Sequence, residues 1–151
     1  MRLYVDTSVF NGLYAREAPH IHAATEAFFA RLNTRMVTLY GSDLVATEIE
    51  RTPRIEKRAA LQRTIEEHDV ELLPVTEEAR RLAERYVAEK IVPARYLPDA
   101  LHIATAVVHH IPVLVSWNFA HIVKHRTRIE VNRINQVMGY PPIDLCTPEE
   151  V

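Results

Sequence analysis

The chain has 151 residues, 48% of them hydrophobic and 25% charged, which excludes a disordered polypeptide and leaves room for one core but not two. Eighteen basic residues against twenty acidic ones give a formal net charge of −2, so the overall balance gives no sign of a nucleic-acid partner. One cysteine (Cys146) excludes a disulfide framework and a cysteine-rich zinc site, and three glycines leave no phosphate-cradling loop of the dinucleotide or P-loop type.

Short apolar runs alternate with helical patterns along the chain, the signature of an α/β fold in which a parallel sheet is covered on both faces. Residues 1–151 read as a single domain. Leu3 to Val5 is a first strand that stops at Asp6, and Thr7 or Ser8 is placed to cap the short helix after it. Residues 20 to 33 carry Ala24, Phe28 and Leu32 at spacing four, an amphipathic helix. Met36 to Tyr40 reads as a strand ending at Gly41, and Ser42 or Asp43 starts a helix with Leu44, Val45 and Ile49. Pro53 restarts a charged helix to about Glu67.

Val70 to Val75 is a third strand interrupted by Pro74, and Thr76-Glu77-Glu78 opens a helix to about Ile91. Pro98 suits the first turn of a helix that runs to His110. Pro112 to Ser116 is a fourth strand, a helical stretch from Phe119 to Met138 ends at Gly139, and Ile143 to Cys146 is a last strand. No apolar run reaches the roughly 18 residues of a membrane span, and the amino end lacks a secretory cleavage pattern. A cytoplasmic protein without membrane attachment is expected.

Charge is unevenly distributed. From Arg51 to Arg63, five basic residues stand against Glu56; from His121 to Arg133, Lys124, Arg126, Arg128 and Arg133 stand against Glu130. Such runs are commonly solvated helix faces, and they are also the obvious seats for a phosphate backbone.

In an open parallel sheet the ligand crevice lies beyond the carboxyl ends of the strands, where strand order reverses. The first strand ends at Asp6 and the fourth at Ser116-Trp117-Asn118, so Asp6 and Asn118 face each other if those strands are neighbours. Asp99 opens an otherwise apolar helix, and Glu48 follows Leu44 by four, near the apolar edge of its own. Gathered carboxylates repel one another, and a divalent cation makes them tolerable at neutral pH. Oxygen donors favour Mg²⁺ or Mn²⁺, ions that commonly act on phosphate substrates. Eight histidines form no HExxH pattern, and His102 reads as an ordinary satisfied helix histidine.

The segments VDTSVF, ATEIERT, PDALHIATA and LVSWNFAHIV, in that order, resemble the PIN-domain ribonucleases, most closely toxins of the VapC-like type. The resemblance implies a three-layer sandwich with a five-stranded parallel sheet flanked by helices. It implies an Mg²⁺- or Mn²⁺-dependent endoribonuclease with metal-ligating acids at Asp6, Glu48 and Asp99 and a hydroxyl at Ser8. RNA as substrate, a cognate antitoxin and a homodimer follow from the same resemblance. Many members carry an aspartate where this chain has Asn118, which keeps an oxygen but removes a charge. Asn118 is expected to complete the catalytic set, with Ser8, Arg51, His121 and Lys124 contacting substrate. A catalytically degenerate PIN domain that binds RNA or protein is the alternative. An aspartyl phosphatase needs a second aspartate two residues after the first, where Ser8 stands, and a receiver domain needs a phospho-accepting aspartate after the third strand, where Thr76-Glu77 follow Val75.

Overall fold

The computed structural model describes residues 1–151 and contains one sheet of five strands: β1 (Arg2–Val5), β2 (Thr38–Ser42), β3 (Glu71–Leu73), β4 (Val113–Val115) and β5 (Asp144–Cys146). All neighbours run parallel, in the order β3-β2-β1-β4-β5. The chain moves outward from β1 through β2 to β3, then returns to the other side of β1, so strand order reverses between β1 and β4. Seven helices cover the sheet: α1 (Thr7–Gly12), α2 (Pro19–Leu32), α3 (Asp43–Glu50), α4 (Ile55–Glu67), α5 (Glu77–Ala88), α6 (Leu97–Val108) and α7 (His125–Met138). None is long and apolar enough to cross a membrane.

Period-two alternation assigns the faces. Leu3 and Val5 point into a core with Phe10 of α1, Phe28 and Phe29 of α2, Val45 and Ile49 of α3 and Leu61 of α4. Tyr4, between them, points the other way, toward Leu82 and Tyr86 of α5, Ile103 of α6 and Ile134 of α7. The expected three-layer α/β sandwich is therefore present.

Several boundaries differ from expectation. Gly41 lies within β2, paired with Leu72, and does not end the strand; a Cβ there would sit 3.2 Å from the Leu72 side chain. Asp6 caps α1 in place of Thr7 or Ser8, accepting the Ser8 N–H. Ser42 precedes α3 but makes no side-chain cap, because its hydroxyl bonds to Tyr4. Residues 119 to 124 form turns and a bend: the Asn118 carbonyl takes the amides of both Ile122 and Val123, those two side chains are buried, and the helix starts only at His125. Gly139 ends α7 at φ 81°, the left-handed cap only glycine adopts freely.

Candidate active site

The register Leu3↔Val113, Tyr4↔Leu114, Val5↔Val115 carries β1 and β4 off the sheet side by side, and the Asp6 amide still donates to the Val115 carbonyl at 3.2 Å. Asp6 is 3% exposed. Its Oδ1 accepts from the Ser8 amide (3.1 Å) and hydroxyl (2.5 Å), and its Oδ2 accepts from the Ser116 hydroxyl at 2.6 Å. Each serine oxygen in turn accepts a backbone amide from the β4 exit: Ser8 from Trp117 at 2.8 Å and Ser116 from Asn118 at 2.9 Å. Two hydroxyls thus hold the carboxylate and join the ends of the two strands.

A cavity of about 360 Å³ opens here, lined by Asp6, Thr7, Ser8, Asn11, Glu48, Asp99, His102 and Asn118. No apolar residue, lysine or arginine lines it. The expected juxtaposition of Asp6, Glu48, Asp99, Asn118 and Ser8 is present. Burial raises the Asp6 carboxyl above the usual carboxylate range, against the opposing influence of His102 and the hydroxyls of Ser116 and Ser8. Burial raises Asp99 likewise, although the Asn118 side chain and the charges of His121 and His102 act against it. Glu48 goes the other way: burial pushes it up, but the hydrogen bond and charge of His102, with the Thr7 hydroxyl, hold it below its ordinary value.

His102 is a satisfied helix histidine as expected, but one of its two partners is a carboxylate of the cavity. It is 3% exposed, its Nε2 lies 2.6 Å from Glu48 Oε1, and its Nδ1 lies 2.8 Å from the Tyr4 hydroxyl. Its spacing, three residues after Asp99 on an otherwise apolar helix, requires a polar side chain there to find buried partners, though not which ones. Ser116 escaped notice, since a serine ending a strand has no pattern of its own.

The Asn118 side-chain oxygen, expected to serve the catalytic set, is already occupied. It accepts the His121 amide at 2.9 Å, which caps the turn and leaves the NH₂ beside Asp99. Arg51, His121 and Lys124 do not line the cavity. Arg51 ends α3 and lowers the Glu48 carboxyl through its charge. His121 stacks on Tyr96 with ring centroids 4.2 Å apart, its Nδ1 buried without a hydrogen-bond partner, and Lys124 is exposed just before α7. Arg54 and Lys57 face a separate hollow with Tyr14 and Arg16.

The sequence matches the PIN domain family model over residues 3–118. The chain belongs to the PIN domain family. Comparison with curated proteins gives no match. Among solved structures, this PIN domain is similar to a chain of VapBC2 from Rickettsia felis bound to a DNA fragment from their promoter, with TM-score 0.58 and 12% identity over 97% of this chain and 98% of that one. It is also similar to a chain of VapBC-5 from Mycobacterium tuberculosis, a member of the VapBC family of toxin-antitoxin systems, with TM-score 0.51 and 22% identity over 79% of this chain and 88% of that one. At these identities the likeness is one of fold.

The donor chemistry of the PIN cavity suits a hard divalent ion: three carboxylates on a wholly polar lining, two of them raised by burial. No three acidic or imidazole side chains stand close enough together to enclose an ion by themselves. The lining therefore fits an ion that keeps much of its own water and takes few protein ligands, as Mg²⁺ commonly does.

Proposed function

We propose that this PIN domain is an Mg²⁺- or Mn²⁺-dependent endoribonuclease and the toxin of a toxin–antitoxin pair, acting in the cytoplasm. The observation that carries the reading is the cavity at the strand ends, where Asp6, Glu48 and Asp99 meet with no lysine or arginine to balance them. Carboxylates among these three would hold a divalent cation that keeps part of its water, and such an ion would supply charge to a phosphate and acidity to a bound water near neutral pH. The chain's own groups complete the arrangement. Ser8 and Ser116 orient Asp6, the Asn118 NH₂ steadies Asp99, and an open polar cavity admits a phosphodiester but offers no apolar slot for a base. Arg51 and Lys124, exposed outside the cavity, would contact the RNA backbone, and His121 the neighbouring nucleotide. Folds shared with chains of VapBC complexes support a partner antitoxin, and a homodimer belongs to the same reading.

The test is incubation with single-stranded RNA, and with DNA of the same sequence, in Mn²⁺, in Mg²⁺ and in chelator, with mapping of the new ends. RNA cut only when a divalent ion is present, leaving 5′-phosphate and 3′-hydroxyl ends, is the expected result. Binding without cutting under every condition would favour a catalytically degenerate PIN domain acting as a binding module.

A further inference from the structure

Glu48 is more exposed than Asp6 and sits on a helix of eight residues, yet one of its oxygens is tightly held. Oε1 accepts both the Thr7 hydroxyl at 2.9 Å and His102 Nε2 at 2.6 Å, whereas Oε2 has no hydrogen-bond partner. His102 is fixed at its other nitrogen by Tyr4, whose hydroxyl also lies 2.7 Å from Ser42 Oγ. Tyr4 is fully buried, and its ring meets the imidazole edge-on at 5.8 Å. The connections run Ser42–Tyr4–His102–Glu48, from the residue before α3 across β1 and α6 and back to the second turn of α3. Ser42 gives up the cap of α3 to take part.

The direction of the critical bond is fixed by chemistry. An ionised carboxylate can only accept, so Nε2 carries the hydrogen and donates. Nδ1 can accept from Tyr4, or carry a hydrogen and donate to it, without changing what happens at Nε2.

We propose that His102, anchored by Tyr4, is a positioning residue that occupies Oε1 of Glu48 and so presents Oε2 alone to a divalent cation in the cavity. The inference rests on the nuclease reading of this site. Ligating carboxylates are commonly oriented by outer hydrogen bonds, and loss of such a partner typically weakens metal binding by about 10- to 100-fold.

Mn²⁺ titration calorimetry on the full chain, with rates of RNA cleavage beside it, tests this. His102→Leu should weaken Mn²⁺ binding by about 10- to 100-fold. His102→Gln, whose side-chain amide reaches toward the place of Nε2, should recover most of the loss. Tyr4→Phe keeps the buried ring and removes only the hydroxyl, and should weaken binding less than His102→Leu. In a Glu48→Gln background, His102→Leu should add nothing further, because its effect passes through that carboxylate. Wild-type affinity in His102→Leu, or an undiminished His102→Leu effect in the Glu48→Gln background, would overturn the positioning role while leaving the nuclease reading intact. A wild-type protein that neither binds Mn²⁺ nor cuts RNA would overturn both.

Discussion

The two ends of β1 meet opposite electrostatic circumstances. At the amino end, the Arg2 guanidinium donates to the carbonyls of His110 (3.0 Å) and His109 (3.2 Å), where α6 ends, and the terminal ammonium donates to the Met36 carbonyl at 3.0 Å. Positive charge there meets the negative end of a helix, a stabilising match. At the carboxyl end, four residues away, Asp6 faces Glu48 and Asp99 across a cavity without lysine or arginine, and burial keeps two of these carboxyls reluctant to ionise. A strand balanced at one end and unbalanced at the other separates what holds the fold from what the fold can act with.

Neutralising the unbalanced end should have the largest effect. Asp6→Asn keeps a cap for α1 and removes a charge, so RNA cleavage should fall by at least about 100-fold, a rise of roughly 2.7 kcal/mol in the barrier. The same variant should melt a few degrees higher than wild type in chelator, as expected for about 1 kcal/mol of relieved desolvation and repulsion. Initial rates and thermal melts read both quantities. Unchanged cleavage would erase the functional difference between the two ends.

The second prediction concerns pH. Asp99 has a raised carboxyl in the folded protein, so its favourable contribution is fully present below the ordinary carboxylate range and is lost as pH rises through the raised value. In chelator, Asp99→Asn should therefore be more stable than wild type at neutral pH, with the margin shrinking on acidification toward that range. Denaturant melts across pH give the margin directly. A constant margin would mean that Asp99 is not under electrostatic stress.

The smallest effect belongs to the balanced end. Arg2→Met should cost about 0.5–1 kcal/mol, a fall of roughly 2 °C in Tm, and leave cleavage and Mn²⁺ affinity unchanged. A matching loss of activity would show that the ends are coupled along the strand.

What the sequence discloses and what it withholds follow from the range of the forces involved. The strands and helices carry local periodicity, so their order and type are legible, and so are Asp6, Glu48 and Asp99 as acids at strand or helix ends. His102 is ambiguous because a buried histidine and a ligand-orienting one share the same local pattern; only Glu48 and Tyr4, 54 and 98 residues away, distinguish them. Asn118 is legible as a site residue but not in its orientation, which depends on the amide of His121. Residues 119–124 have helix-like composition, yet the paired amides on the Asn118 carbonyl override it. The basic stretches are plain in the sequence, but a linear run does not say which side of a helix faces the cavity, and the fold leaves Arg51 and Lys124 outside it.

The hydroxyl pair that joins the strand ends also imposes an order in time. Ser8 and Ser116 are 108 positions apart, and the sheet places β4 directly against β1 although three helical crossovers intervene in the chain. During synthesis from the amino end, β1 can gain its neighbour β2 early. Its other flank stays open until residues 113–115 exist, and Asp6 lacks the donor on Oδ2 until Ser116 follows. All three acids are already in the nascent chain by then, unassembled. The centre is completed only once Ser116 has followed Asp6 by 110 residues, so a chain stopped short of β4 carries the acids without the means to bring them together.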